Sequence, residues 1–177
     1  KVHCSAQLKQ INLSLEIYGN DFREQYPVAG HKMDWGQIDT SADGTGMVSW
    51  MEQIFDYMPS KEVLSGCHSY PRETPYHYFM GARAAYLEYG GFGPLRRLRL
   101  KYPTAYVLTG DNTWDFNEIP DPDADKDDYT QRTLVFEAGT VSGTNKSWEP
   151  HHVNGLNVGF ADGHVASFAQ VDPDRMT

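Results

Sequence analysis

Three histidines and one aspartate near the end of the chain are the residues best suited to bind a metal or to catalyse a reaction. His151 and His152 are adjacent, and Asp162 and His164 follow in the same stretch. Imidazole and carboxylate groups are ligands for zinc and related metals. His152, Asp162 and His164 are therefore a candidate metal site and, in one interpretation, the centre of a metal-dependent hydrolase.

The alternative interpretation of these residues is structural. Asp162 is explained by its place in a turn, and His164 beside that turn can hydrogen-bond the loop that contains His152. A serine hydrolase would add a G-x-S-x-G motif, which the sequence lacks. Cys67 has no recognisable nucleophile context either. We therefore favour the structural interpretation and expect no enzymatic activity.

An acidic segment offers a different metal site. Carboxylates recur at alternate positions, namely Asp121, Asp123, Asp125 and Asp127. Hard oxygen ligands at this spacing suit calcium. The segment departs from the EF-hand pattern, because Lys126 occupies the glycine position and Arg132 the position of the closing glutamate. A solvated acidic loop is the favoured alternative, so no cofactor is required and calcium remains a candidate ligand.

Cys4 and Cys67 are the only cysteines in the chain. Two cysteines are too few for a disulfide-built scaffold or a four-cysteine zinc module. Two interpretations stay open: one disulfide in an oxidising compartment, or two independent cysteines. The sequence does not show whether the two Cα atoms approach to bonding distance.

The charge of the chain limits its partners. There are 15 Lys and Arg residues against 24 Asp and Glu, which gives a formal net charge of -9. Such a charge repels phosphate backbones and anionic membrane surfaces, so we expect no nucleic-acid partner. The one basic cluster consists of Arg96, Arg97, Arg99 and Lys101. It is either a docking patch for an acidic neighbour or, as we favour, an exposed loop or strand edge balanced by the acidic loop, since edge strands often carry such charges as protection against pairing.

Helical periodicity opens the chain and predicts a helix over residues 5–19. The apolar residues Leu8, Ile11, Leu15 and Tyr18 recur at steps of three and four, which places them in one stripe on a helix. Gly19 and Asn20 should end this helix, since glycine tolerates the left-handed backbone that commonly closes one.

A capping box predicts a second, shorter helix. Ser49 and Glu52 have the S-x-x-E spacing in which each side chain binds the other's backbone amide. Apolar residues follow on one side of the helix: Trp50, Met51, Ile54, Phe55 and Met58. Pro59 should end it, because proline cannot continue the backbone ladder.

The sheet is predicted mainly in the later part of the chain. Short β-branched or aromatic runs at 105–109 and 133–136 predict two strands. Residues 157–161 and 164–168 predict a hairpin, and the Asp162-Gly163 pair between them suits a type I′ turn.

These elements define the expected fold class, which is α+β with an N-terminal helix packed on a mainly antiparallel sheet, a short second helix and a C-terminal hairpin. Residues 70–79 indicate extended chain and residues 82–89 a short helix. A length of 177 residues favours a single domain over 1–177. Within it we expect a variable region at about 20–100 and a sheet region at about 101–170.

Two separated segments resemble one family, the type IV pilin-like and type II secretion pseudopilin-like proteins with a prepilin-type N-terminus. Residues 4–11, C-S-A-Q-L-K-Q-I, resemble the family's C-x-x-N-L-K-Q-[IL] segment, from which Gln7 departs. Residues 152–165 resemble its C-terminal signature, H-x-G-G-x-N-V-x-F-A-D-G-H-V. The residues of this chain that carry the two motifs are Leu8, Lys9, Gln10, Asn157, Phe160, Asp162, Gly163 and His164.

The resemblance implies a structural subunit of a type II secretion pseudopilus or a type IV pilus-like filament. Its partners would be other pilin or pseudopilin subunits, components of a secretion system, and the cytoplasmic membrane through an apolar helical segment expected before Lys1. The head would lie in the periplasm or outside the cell. Calcium occurs in the heads of some major pseudopilins, which adds weight to the acidic-segment site. The alternative is a secreted calcium- or carbohydrate-binding module in which Trp114 and Trp148 stack on sugars.

Overall fold

The computed structural model describes residues 2–29, 48–69, 77–81, 84, 93–111, 128–129, 152 and 155–169. Among the predicted elements, the strand at 133–136, most of the helix at 82–89 and the first residues of the extended segment at 70–79 lie outside the described residues. The described helices are α1 (Val2–Asp21), α2 (Trp50–Gln53) and α3 (Glu62–Ser65), with 3₁₀ turns at Phe55–Tyr57 and Arg97–Arg99. The described strands are β1 (Tyr78–Gly81), β2 (Val107–Asp111), β3 (Asp128–Tyr129), β4 (Leu156–Phe160) and β5 (Val165–Phe168).

The predicted apolar stripe of α1 is confirmed. Leu8, Ile11 and Leu15 are fully buried, and Tyr18 is nearly so. Three polar side chains of the helix, Gln7, Asn12 and Ser14, are buried on the same side, and each makes hydrogen bonds to other elements or to the helix backbone. This side of α1 packs on β2, β4 and β5.

The helix predicted over residues 5–19 is longer in the structure, by three residues at its start and by two at its end. The helix continues through Asp21, and the left-handed residues that follow it are Arg23, with a φ of 57°, and Glu24, with a φ of 64°. The amide of Glu24 donates to the carbonyl of Gly19 over 2.8 Å. An ion pair between Glu24 and Arg97 holds this unusual backbone in place.

The predicted capping box at α2 is confirmed. The Ser49 hydroxyl accepts a hydrogen bond from the Glu52 amide, and the Glu52 carboxylate accepts one from the Ser49 amide. The predicted continuous helix up to Pro59 is wrong, because the chain is α-helical only through Gln53 and then tightens to a 3₁₀ turn. The amide of Tyr57 bonds the carbonyl of Ile54, three residues back, which marks this tighter winding.

The sheet has the strand order β3-β1-β2-β4-β5. Every pairing is antiparallel except that of the two-residue strand β3, which runs parallel to β1. One helix lies across this sheet, so the α+β prediction is confirmed. The strand predicted at 105–109 is shifted to Val107–Asp111, because the amides of Ala105 and Tyr106 both bond the Tyr102 carbonyl in a preceding turn.

The C-terminal hairpin is confirmed, but its predicted type I′ turn is wrong. Asp162 does not have the positive φ that such a turn requires, whereas Gly163 has a φ of 88°. The amide of Gly163 bonds the Phe160 carbonyl, and the amide of Phe160 bonds the His164 carbonyl. A three-residue loop with its glycine in the left-handed region therefore joins β4 to β5.

Candidate functional site

The C-terminal signature begins at a buried histidine that is fixed by a tight backbone turn. His152 and Gly155 exchange two hydrogen bonds, of 3.2 and 3.1 Å. Gly155 has a φ of 131°, and a side chain there would collide with the backbone carbonyl of Phe168. The glycine thus allows the turn to lie against the end of β5, and this places the imidazole of His152 inside the protein, where the residue is buried.

The imidazole of His152 contacts the carboxylate of Asp111, the last residue of β2. The Nε2 atom lies 3.1 Å from Oδ2, and both side chains are sealed from solvent. The same oxygen of Asp111 accepts hydrogen bonds from the backbone amide of Asn157, over 2.5 Å, and from its side-chain Nδ2, over 3.0 Å. Three donors on one buried carboxylate oxygen offset the cost of removing it from water.

A disulfide closes the other side of this cluster. Cys4 in the first turn of α1 is bonded to Cys67 after α3, with a Cα–Cα distance of 5.1 Å. The sequence left open whether these cysteines pair, and the structure resolves the question. The Sγ atom of Cys67 lies 3.9 Å from Nε2 of His152, and the amide of Cys67 donates to Nδ1 of His77 over 3.1 Å. We call Cys4, Cys67, Asp111 and His152 the buried cluster.

A second polar link joins α1 to the middle of the sheet. The Asn12 side chain donates to the carbonyl of Phe160 over 3.3 Å and accepts from the Thr109 hydroxyl over 2.6 Å. Gly159 leaves room for this link, because a Cβ atom there would come within 2.5 Å of both polar side chains. The helix is thereby fixed in register with β2 and β4.

The candidate zinc set of His152, Asp162 and His164 is divided between two places. Asp162 and His164 lie together on the exposed loop of the hairpin, where Nδ1 of His164 is 2.5 Å from Oδ1 of Asp162. His152 belongs to the buried cluster instead. His164 also stacks on the ring of Phe160, with centroids 4.3 Å apart, and bonds within the loop. Within the described part of the chain, His164 makes this local pair and no bond to His152 itself.

The contact with His164 on the hairpin loop lowers the pKa of Asp162. Partial burial acts to raise the pKa of Asp162, but hydrogen bonds from the ring and backbone of His164 outweigh it, so the pKa of Asp162 is lowered. Its ionised form is therefore the one the loop stabilises. The pair holds the loop in shape at neutral pH.

Several sequence-predicted site residues lie outside the part of the chain that the structure describes. These are His151, Trp114, Trp148 and the acidic residues Asp121, Asp123, Asp125 and Asp127. The calcium site and the sugar-stacking surface stay predictions.

The basic cluster does not act as one unit. Arg97 forms ion pairs with Glu16 on α1 and with Glu24, and its guanidinium also donates to the side chain of Asn20 over 2.7 Å. Tyr26 donates to the same Glu16. Arg97 therefore fastens the 3₁₀ turn to the end of α1, whereas Arg96, Arg99 and Lys101 are exposed.

An exposed apolar strip runs along the side of α1 opposite the sheet. Val2 is 86% exposed, Leu13 60% and Ile17 39%. At 100° per residue these side chains, together with Ala6, fall within roughly 60° of one another. Their direction is opposite to that of the buried stripe. The helix therefore has two apolar sides, of which the described residues cover one. We call Val2, Ala6, Leu13 and Ile17 the outer strip.

No described helix is both long enough and apolar enough to cross a membrane. Comparisons with family models, with curated proteins and with solved structures found nothing that matches the chain.

Proposed function

We propose that this chain is the head of a filament-forming subunit of the pilin or pseudopilin type, which acts by assembling with copies of itself and with secretion-system components. The observation that carries the proposal is the two-sided character of α1. One side is covered by the sheet, and the outer strip on the other side is exposed along the length of the helix.

The outer strip suits contact with another helix. A helix that is apolar on two sides is ordinarily buried on both, since exposed Leu and Ile side chains gain free energy when they leave water. Its residues are spaced in steps close to whole turns, which gives a narrow seam that the helix of a neighbouring copy can cover. Lys9 and Gln10, which flank the seam, are exposed and supply a polar border.

The arrangement of the two family-like segments supports the same proposal. The N-terminal segment contributes Cys4 and Leu8 to the core, and the C-terminal segment contributes His152 and the hairpin. Asn12, in the next turn of α1, bonds the carbonyl of Phe160 in that hairpin. Residues far apart in sequence thus form one rigid connection between helix and sheet, as a head carried on a helical stem requires.

We place the head in the periplasm or outside the cell, on a membrane-anchored helical segment that continues α1 towards its N-terminus. The disulfide between Cys4 and Cys67 fits an oxidising compartment. Recovery of the full reading frame tests this placement, which requires roughly 20 apolar residues upstream of Lys1.

Substitution of the outer strip tests the assembly function. The full-length protein carrying Leu13→Glu and Ile17→Glu should form at least about tenfold fewer filaments, counted by electron microscopy. Burying an unpaired charge costs more than the roughly 1.4 kcal/mol that a tenfold change represents. The matched control is Leu98→Glu, at an apolar position that is 80% exposed but lies on the 3₁₀ turn. Normal filament numbers in the α1 variant would contradict the proposal.

A further inference from the structure

The buried cluster brings together four side chains that are all metal ligands. The two Sγ atoms of Cys4 and Cys67 and a ring nitrogen of His152 lie within 4.8 Å of one another. Asp111 adds a carboxylate oxygen 3.1 Å from the same imidazole. All four residues are buried. We propose that, when its disulfide is reduced, the chain binds one zinc-class divalent ion through Cys4, Cys67, His152 and Asp111.

Two distances from the imidazole of His152 are close to those around a tetrahedral ion. Ligand atoms at bond lengths of about 2.0–2.3 Å from a tetrahedral zinc stand roughly 3.3–3.8 Å apart. The separation from Nε2 of His152 to Oδ2 of Asp111 is 3.1 Å, and that to Sγ of Cys67 is 3.9 Å. To share one ion, the two sulfur atoms, which are bonded to each other in the oxidised protein, must separate. The carboxylate of Asp111, which is not among the ligand atoms that all lie within 4.8 Å of one another, must move towards them.

The surroundings of the cluster resemble those of a supported ligand set. Asn157 donates two hydrogen bonds to Oδ2 of Asp111 and so orients the carboxylate. The other oxygen, Oδ1, is buried and accepts no hydrogen bond from the described residues. His77 fixes the backbone at Cys67. Outer contacts of this kind raise metal affinity because they hold the ligands in place before the ion arrives.

The charge and redox changes balance. A dithiol or phosphine reductant supplies the two electrons that break the S–S bond, and two protons from solvent give two thiols. The ion then replaces those two protons, which return to solvent, and binds two thiolates, one carboxylate and a neutral imidazole. Disulfide and metal are therefore alternative states of one site. In the disulfide state and in the metal-bound state alike, the cysteine pair joins α1 to the segment after α3. The proposed metal site does not depend on the assembly function.

Cobalt titration of the reduced protein tests the site. The protein is reduced with a phosphine under argon, freed of reductant and titrated with Co²⁺. We expect one equivalent to bind, with the intense visible bands of tetrahedral cobalt and a sulfur-to-cobalt charge-transfer band, and zinc to displace it. The oxidised protein should show neither band. A reduced protein that stays spectrally silent would overturn the proposal.

Variants and X-ray absorption distinguish a four-ligand metal site from metal binding by the two thiols alone. His152→Ala and Asp111→Asn should each weaken cobalt binding by about tenfold to 100-fold or more, whereas His164→Ala, at the exposed hairpin loop, should leave it unchanged. Unchanged affinity in both cluster variants overturns the proposal. If those variants do not fold, X-ray absorption by the metal-loaded wild-type protein still identifies the ligands. It should show two sulfur atoms and two nitrogen or oxygen atoms around the metal. A shell without sulfur, or binding only by an unfolded chain, also overturns it.

Discussion

The Nε2 atom of His152 lies 3.1 Å from Oδ2 of Asp111, and this contact joins the first residue of the C-terminal signature to the last residue of β2. Asn157, in the neighbouring strand β4, donates to the same carboxylate oxygen. The pair therefore connects the tight turn before β4 with the two central strands of the sheet. Because both partners are inaccessible to solvent, their contact holds the fold of the oxidised protein.

Removing the imidazole should be strongly destabilising. His152→Ala leaves the buried Asp111 carboxylate without one of its donors, and breaking a buried pair in this way costs about 3 kcal/mol or more. Urea unfolding of the oxidised protein measures the change. Asp162→Asn is the control, because it alters a histidine–aspartate pair of the same type on the exposed loop. A loss of less than roughly 0.5 kcal/mol for His152→Ala, which is the ordinary range for surface substitutions, would refute the assigned role.

Reduction of the disulfide should lower the free energy of unfolding. The cysteines are separated by 63 residues. A cross-link that closes a loop of that length lowers the conformational entropy of the unfolded chain and so raises its free energy by about 4 kcal/mol. Unfolding in metal-free buffer with and without a phosphine reductant measures the difference. The Cys4→Ala and Cys67→Ala double variant should not respond to the reductant. An equal response of both proteins would mean that the reductant acts elsewhere.

Arg97 should contribute a salt-dependent share of stability. Its guanidinium bridges Glu16 and Glu24 while staying partly exposed, so solvent screens the interaction and Arg97→Ala should cost about 1 kcal/mol at low ionic strength. The cost should shrink in molar salt, because the Debye length falls to roughly 3 Å. Arg96→Ala, at an exposed neighbouring position, should change stability little. A cost for Arg97→Ala that does not vary with salt would indicate lost packing instead.

Two buried tyrosines should make the protein sensitive to alkali. Burial, and then Glu16, raises the pKa of Tyr26, while burial, and then Asp111, raises the pKa of Tyr78. The unfolded chain therefore loses these protons at about pH 10 while the folded protein keeps them, so stability is complete below that pH and falls above it. The expected slope is roughly 1.4 kcal/mol per pH unit for each tyrosine.

Urea unfolding between about pH 9 and 11 measures that slope. Tyr78→Phe should remove one tyrosine's share of it, whereas Tyr102→Phe, at an exposed position, should preserve the wild-type slope. Equal slopes in all three proteins would be inconsistent with the assignment.

Local signals allowed much of the fold to be predicted from sequence. Three features depend only on residues that are close together in the sequence. They are the buried stripe of α1, the capping box at Ser49 and Glu52, and the C-terminal hairpin. Their hydrogen bonds and buried faces repeat at short, fixed intervals. The outer strip follows the same helical period.

Contacts between distant segments were not predictable in this way. Nothing local distinguishes Asp111 as the partner of His152, because their proximity depends on the pairing of β2 with β4. The bond between Cys4 and Cys67 likewise depends on how α1 lies over the sheet. The hairpin turn was mispredicted because its type depends on strand register, which makes the loop three residues long and places Gly163, not Asp162, at positive φ.

Photo-crosslinking at the outer strip tests the assembly proposal most directly. A benzophenone amino acid replaces Leu13 in the full-length protein, and replaces Leu98 in a parallel control, since both side chains are exposed. Illumination of the Leu13 protein should give a ladder of covalent multimers, with the crosslink mapped by mass spectrometry to α1 of a second copy, while the Leu98 protein should give at most traces of it. Exclusively monomeric protein at Leu13, or equal ladders from both positions, would contradict the assignment of the outer strip as the assembly surface.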